Sequence, residues 1–484
     1  MAVDPFLDYE LVIPENLWMA LQAHLFPGDG DEHGAVILAG MAISGGRARL
    51  LARELYLAED GIDYLPGQRG YRMLSAGFVR DKALIARDER LSYLAIHNHG
   101  GRNSVSFSTD DLRSHERGYP ALQDLTRGQL VGGIVFAENA VAGDLWLKDG
   151  RIPLMSARII GKNIVRQFPS PPERNGKVDP SFDRQARIFG DRGQASLGQQ
   201  RVGIIGLGGI GSLVSEYMAR VGVGELILVD PDKLDPTNVP RVVGSSRWDA
   251  LSILRGPGVP GWLRTWASRL SRWKVSLAKR HAHEANPSTK VLALPRNVVD
   301  SDVAQVLATC DFIFLSADSM QARHVFNALV HQYLIPGIQL GVKIPVDSAT
   351  GEVGRIFSAV RPVLPGRGCL WCNGLIPPAK LQEEALSEEE RRAQRYVDEP
   401  EVHAPSVITL NATSAAYAVN DYLFRTLGLH DLSAPDDYHY LEPQSSTTRM
   451  EIPRSDPSCL ECGTSSRSRL ARGDGATLPT RPRR

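Results

Sequence analysis

Residues 199 to 230 read QQRVGIIGLGGIGSLVSEYMARVGVGELILVD, and this stretch restricts the fold more than any other in the chain. An apolar run gives way to a glycine turn, a segment of helical period follows, and a second apolar run closes the unit. Two strands joined through a helix lie parallel in one sheet, with the helix packed on its face. This part of the chain therefore has to build an α/β domain with a parallel-core sheet. Gly206, Gly208 and Gly211 form a GxGxxG at the turn. Glycine there lets backbone amides approach a phosphate, whose charge the helix N-terminus offsets. Dinucleotide enzymes carry the same turn, so it predicts a nucleotide without choosing which.

The residues that follow make the choice. Asp230 ends the second strand, where a carboxylate holds ribose hydroxyls. DPDKLDPTNVPR then supplies Asn238 and Arg241 as an N-x-x-R, and Lys274 sits on a helix that ends at an Asn-Pro. Arginine and lysine converging on a glycine loop suit a triphosphate better than a pyrophosphate already satisfied by backbone amides. An acidic residue should hold magnesium, and Asp318 stands just past the apolar run DFIFLS, at the carboxyl edge where such sheets bind ligands. In this order the residues resemble the ThiF/MoeB adenylyltransferase family, the fold of ubiquitin-activating enzymes. The resemblance runs from FDRQARIFG at residue 182 to about residue 430 and includes the helix in APSVITLNATSAAYAVNDYL. It implies ATP and Mg2+, with Asp230 on the ribose, Arg241 and Lys274 on the phosphates and Asp318 on the metal. It also implies a homodimer, in which Arg184 reaches the ATP of a partner protomer. The stretch from Asp249 to Arg272, which contains tryptophans, is longer than that family leads one to expect.

The cysteines give an independent reading. Cys369 and Cys372 in GRGCLWCNG, with Cys459 and Cys462 in DPSCLECG, make CxxC…CxxC, a set that fits a closed tetrahedral zinc site. The ThiF/MoeB resemblance implies the same, since that family carries a structural zinc on two such pairs. Cys310 is expected as a small buried side chain. Ubiquitin-activating enzymes carry a catalytic cysteine in the excursion after the first pair, and KLQEEALSEEERRAQRYVDE, a charge-dense run read as an exposed helix, has none. A thioester on this chain is not expected.

Upstream, HNHGGRNSVSFSTDD spans residues 97 to 111 and follows the strand-like LSYLAI. Residues two apart on a strand share a side, so His97 and His99 converge. A catalytic zinc keeps three protein ligands and one open position. Asp111, on a helix beginning at Ser108, would complete the set, and Glu32 in DEHGAVILAG would serve as base for the zinc water. Ser108 equally reads as a simple N-cap, with Asp110 and Asp111 at the positive helix end. Together these residues resemble the JAMM (MPN, or JAB) metalloprotease motif, E…H-x-H…S-x-x-D, of a family that cleaves ubiquitin-like proteins after a diglycine. The resemblance implies Glu32 as general base, His97, His99 and Asp111 as zinc ligands, and Ser108 as an oxyanion stabiliser. Eight residues separate His99 from Ser108, one more than usual, and Asp111 is preferred to Asp110 because it keeps the S-x-x-D spacing. His33 and His115 fit no role and are expected at the surface.

At 484 residues and 43% hydrophobic content the chain can fill two principal cores. The expected plan is an N-terminal JAMM/MPN α/β domain over 1–155 and a linker over 156–180. A Rossmann-like ThiF/MoeB domain over 181–463 and a disordered basic tail over 464–484 complete it. Lysine plus arginine equals aspartate plus glutamate, 55 each, which argues against nucleic acid or an anionic membrane as the main partner. Without an apolar leader or a membrane-length run, a cytoplasmic protein is expected. The combined expectation is a bifunctional enzyme of a ubiquitin-like pathway. It would cleave a ubiquitin-like partner after its terminal glycine and adenylate that carboxylate, passing it to a conjugating-enzyme-like or sulfur-donor protein. One alternative has the same domains activate a sulfur carrier ending in Gly-Gly. A remote one is an NAD-dependent oxidoreductase with an unrelated zinc domain.

Overall fold

A computed structural model describes residues 7–65, 72–148, 150–172, 179–347, 350–386 and 405–482. The chain divides into two units. The first gathers residues 1–174 with 331–334 and 457–477, and the second holds 175–330, 335–456 and 478–484.

The first unit is built on a nine-stranded mixed sheet in the order β7-β6-β5-β4-β2-β3-β1-β8-β9. Its strands are β1 (Asp8–Pro14), β2 (Gly34–Ser44), β3 (Arg47–Leu57), β4 (Ser92–Asn98), β5 (Val131–Ala137), β6 (Ala140–Leu147), β7 (Gly150–Leu154), β8 (Ser156–Ile160) and β9 (Ile164–Gln167). Helix α1 (Glu15–Leu25) covers one face, and α2 (Ala76–Glu89) and α3 (Thr109–Leu125) cover the other. The unbroken apolar run of β2 follows from this double covering. Ala35, Ile37 and Ala39 pack into the core beneath α1, while Val36 and Leu38 pack into the core shared with α2 and α3.

Three boundaries differ from the expected ones. Residues 156–167, placed in a linker, form β8 and β9, with β8 parallel to β1 and Ile159 inside the core. The tail expected to be disordered from 464 is ordered where described. Gly473 bridges to Met41, and the buried Arg53 guanidinium donates to the backbone oxygens of Leu470 and Ser465. A Cβ on Gly40 would run into the carbonyl of Ala471, so the segment lies directly on β2. Finally, residues 457–463, assigned to the second domain, group with the first unit.

The second unit carries an eight-stranded sheet in the order β12-β11-β10-β13-β14-β15-β16-β17. β10 (Arg201–Ile205), β11 (Glu225–Val229), β12 (Lys290–Leu294), β13 (Phe312–Leu315) and β14 (Gly337–Lys343) are parallel, which confirms the expected parallel core. β15 (Phe357–Val363), β16 (Tyr438–Glu442) and β17 (Thr447–Glu451) extend it antiparallel. Helix α4 (Asp183–Leu197) precedes β10, and α5 (Gly209–Arg220) crosses from β10 to β11. Strand order reverses between β10 and β13, the crevice position at which doubly wound sheets bind ligands. Between β11 and β12 the chain forms α6 (Gly261–Leu270) and α7 (Lys274–Ala285), and α8 (Ser301–Leu307) leads into β13. Helix α9 (Met320–Gln332) follows β13, and α10 (Pro378–Ala385) takes up the start of the charge-dense run. From residue 387 to 404 that run lies outside the described residues. A long helix, Ile408–Leu427, packs its buried face, Ala415, Ala418 and Tyr422 among it, into this unit. Among the described residues no helix is long and apolar enough to cross a membrane.

Candidate functional sites

In the first unit, β4 delivers His97 and the residue just beyond it delivers His99, as the two-residue strand period dictates. Their Nε2 atoms lie 3.2 Å apart. Asp111 enters from the first turn of α3, with Oδ1 3.6 Å from His97 Nε2 and Oδ2 3.3 Å from His99 Nε2. Ser108 is the N-cap, and the expected cap and the expected ligand prove to be one device. Ser108 Oγ accepts from the Asp111 amide, and Asp111 Oδ2 accepts from the Ser108 amide, a reciprocal capping box that fixes the carboxylate toward the histidines. The Ser106 carbonyl sits 3.1 Å from His99 Nδ1, which orients Nε2 inward. These three side chains form a group that could hold a metal ion, so Asp111 and not Asp110 is the residue brought in. Asp110 is exposed beside Arg113.

Electrostatics bind the group together. His99 is pushed above its ordinary value, mainly by its hydrogen bond with Asp111. Burial alone would raise the Asp111 carboxyl, but hydrogen bonds from His97, His99 and Ser108 outweigh it and hold the group far below the usual range. Glu32 Oε1 lies 3.7 Å from His99 Nε2, and burial raises its carboxyl despite the two histidines. An open cleft of about 890 Å³ reaches this point, lined by Phe26, Gly30, Glu32, His99 and Glu138 among others.

Two histidines expected at the surface are buried. His33 anchors the loop that carries Glu32: its amide donates to Asn98 Oδ1 at 2.6 Å and its Nε2 lies 3.0 Å from Asp29. His115 stacks on Tyr119 and pairs with Asp144 at 2.7 Å through Nδ1. Its position four residues after Asp111, on the same helix face, was a usable signal; the partner Asp144, on β6, was not adjacent in sequence.

In the second unit, Asp230 and Lys274 meet the glycine loop at the strand-order reversal. Asp230 accepts from the Leu207 amide in the glycine loop at 2.6 Å and from the Asp232 amide at 2.8 Å. Burial raises its carboxyl, opposed chiefly by Lys274. Lys274 Nζ lies 2.7 Å from Asp232 and 3.8 Å from Asp230. Gly206 has φ 90°, and a Cβ there would strike the Ala317 amide. Gly211 is pressed against the Gly206 carbonyl, whereas nothing stands within 4 Å of a Cβ on Gly208, the open position of the loop. Asn238 is buried in a capping box with Asp235. Arg241 is half-buried and enters no ion pair among the described residues. Asp318 is exposed just beyond β13, and Arg184 is exposed on α4. Sequence reasoning gave Asn411 no role, yet its amide group packs against Gly209 at the start of α5. Asp249 to Arg272, longer than expected, is an excursion clamped by Asp249, which pairs with Arg272 and Arg280 at 3.0 Å each.

The cysteine pairs are described separately because they fall in different units. Cys369 Sγ accepts from the Cys372 amide at 3.4 Å, and the two sulfurs are 3.5 Å apart. Cys459 Sγ accepts from the Glu461 amide at 3.4 Å. Cys310 is fully buried, as expected.

Residues 182–461 match the model of the ThiF family. A tRNA threonylcarbamoyladenosine dehydratase of Bacillus subtilis is 34% identical over 113 residues, 23% of this chain and 37% of the relative. The sulfur carrier protein ThiS adenylyltransferase of Escherichia coli is 26% identical over 186 residues, covering 38% and 63%. The molybdopterin-synthase adenylyltransferase of the same organism is 30% identical over 149 residues, covering 30% and 52%. The chain thus spans less than two thirds of each of these relatives. Among solved structures, E. coli MccB with MccA-N7isoASN aligns with a TM-score of 0.45 at 20% identity, over 60% of this chain and 77% of that one.

Proposed function

Because the chain belongs to the ThiF family, we propose that its second unit uses ATP to adenylate the C-terminal carboxylate of a small carrier protein. In this reading the carrier carboxylate attacks the α-phosphorus of ATP, the acyl-adenylate forms, and pyrophosphate leaves with the electron pair of the broken bond. Asp230 would hold the ribose, the glycine loop the phosphate backbone at Gly208, and Arg241 and Lys274 the negative charge that grows on the departing pyrophosphate. Asp318, exposed at the same sheet edge, would hold Mg2+, which neutralises the phosphates. The observation that carries the reading is the Asp230–Lys274 arrangement against the glycine loop at the strand-order reversal. A lysine beside the glycine loop suits a triphosphate better than a pyrophosphate already satisfied by backbone amides.

The relatives named for sulfur-carrier and molybdopterin-synthase adenylation favour a sulfur-carrier partner ending in Gly-Gly over a conjugated modifier. Both partner classes present the same carboxylate. Each CxxC pair, with an N–H···S bond already formed, presents two thiols of the kind a structural zinc takes. A homodimer, with Arg184 serving the neighbouring site, belongs to the same proposal. The test is ATP–pyrophosphate exchange by the purified chain with Gly-Gly-ended carrier proteins. Exchange that requires one such protein, and that Asp318→Ala abolishes, is the expected outcome; exchange in the absence of any carrier would sink the proposal.

A second reading applies to the first unit, motivated by the convergence of His97, His99, Asp111 and Glu32. The donor set fits a catalytic zinc, three protein ligands with one position open, and the metal would supply Lewis acidity and an acidified water. Glu32 would take the water proton and hand it to the leaving amine, and its burial-raised carboxyl suits that exchange. Ser108 would face the oxyanion. The substrate would be a ubiquitin-like or sulfur-carrier protein extended beyond its Gly-Gly. Glu32→Gln should retain zinc by elemental analysis while cleavage of a Gly-Gly-extended carrier falls at least about a hundredfold; undiminished cleavage would remove Glu32 from the mechanism.

A further inference from the structure

Four of the seven tryptophans, Trp248, Trp262, Trp266 and Trp273, lie in the excursion between Arg241 and Lys274, and all four are exposed. A soluble protein seldom leaves so much aromatic surface uncovered without a use for it. The backbone of the excursion is held firmly. Asp249 is buried between Arg272 and Arg280, the Leu234 amide donates to the Arg272 carbonyl at 2.9 Å, and Lys233 sits 4.7 Å over the Trp273 ring. Helix α6 turns Ala267 and Leu263 inward, so its other sides stand free. Trp262 (73% exposed), Trp266 and Leu270 follow one another at intervals of four along it, with Ile253 exposed nearby in the chain.

Charge selects the occupant. From Ser245 to His283 the sole carboxylate is Asp249, and it is buried; Arg255 and Arg272 already pair with Asp235 and Asp249, while Arg247, Arg264 and Arg269 stand exposed. A second copy meeting this face about a two-fold axis would set arginine against arginine, which is unfavourable. Ile253 and Leu270 beside the tryptophans add aliphatic surface that a protein face buries, whereas stacked bases use aromatic platforms in a basic groove and gain little from it. The excursion is also joined to the nucleotide site: Lys274 follows it directly, and its amide donates to the Asp232 carbonyl. We propose that α6 and its flanks dock the folded body of an acidic protein substrate whose docking face carries carboxylates around exposed aliphatic side chains. This deepens the adenylation reading and rests on it for the position of the partner's carboxylate. Docking there would hold the substrate beside the site where its C-terminus reacts.

The test uses the full chain with fluorescently labelled Gly-Gly-ended ubiquitin-like proteins of the source organism, and a single-stranded uridine oligonucleotide as competitor class. Two surface double variants, W262A/W266A and R264E/R269E, alter only exposed side chains and are checked for folding by circular dichroism. The expected result is that both weaken binding of the protein at least about tenfold and that added salt weakens wild-type binding. Unchanged affinity in both variants overturns the proposal, as does a wild-type chain that binds none of the proteins. Binding of the oligonucleotide in their place, lost in the variants, overturns it in favour of RNA. Pyrophosphate exchange on the same samples separates the two readings. Exchange absent while tryptophan-dependent binding persists counts against adenylation alone, and exchange intact with affinity unchanged in the variants counts against docking alone.

Discussion

Asp421 shows how a single buried charge can be held ionised. Burial alone would raise its carboxyl, yet Arg425, with no exposed surface, and His430 at 3.2 Å outweigh that and keep it below the usual range. A depressed folded-state value means that the stabilisation is fully present above the ordinary carboxylate range, about pH 4, and is lost as pH falls through the lower folded value. Because Asp436 stays 2.8 Å from Arg425, Asp421→Asn should cost on the order of 2 kcal/mol at pH 7, measured as a shift in the urea midpoint, and should flatten the acid limb of stability. An unchanged acid limb would mean that other carboxylates set it. The same scale explains which site residues were legible. His97, His99, Ser108 and Asp111 lie within fifteen residues, and strand and helix periods aim them at one point. His33 and His115 were misplaced because their burial depends on Asn98 and Asp144, which only the folded sheet brings near.

At the scale of elements, α3 begins where its capping box sets Asp111 in place beside His97 and His99. Ser108→Ala should cost about 1 kcal/mol of stability through the lost cap. Because Asp111 would lose the hydrogen bond that aims it, zinc affinity should also fall, read by competition with a chromogenic chelator. Lower stability with unaltered zinc affinity would show that the cap and the ligand act separately. Strong periodic elements such as β2, β10 and α5 were readable from the sequence because apolar pattern and glycine chemistry agree there. β8 and β9 were not: Arg158 and Arg166 interrupt the apolar pattern, and both reach Glu10 on β1, a pairing that sequence cannot anticipate. The parallel core likewise followed from one βαβ unit, whereas the strand order and the antiparallel extension through β17 carried no comparable signal.

For the whole molecule, residues 457–477 belong to the unit that the N-terminal part of the chain builds. The Asp474 amide donates to the Met41 carbonyl at 2.8 Å, its carboxylate accepts from the Ile43 amide, and Arg472 pairs with Glu89 at 2.5 Å. Gly40→Val should force the Ala471 carbonyl away and raise amide hydrogen exchange over 470–474, leaving the glycine loop of the second unit unaffected. Protection unchanged there would show that the segment yields without detaching. During synthesis, β2 and the guanidinium of Arg53 emerge long before residues 465–474 exist to cover them. The N-terminal unit is accordingly closed only after most of the second unit's sequence has been made, and a message cut short anywhere before residue 465 would yield a first unit with an uncovered sheet.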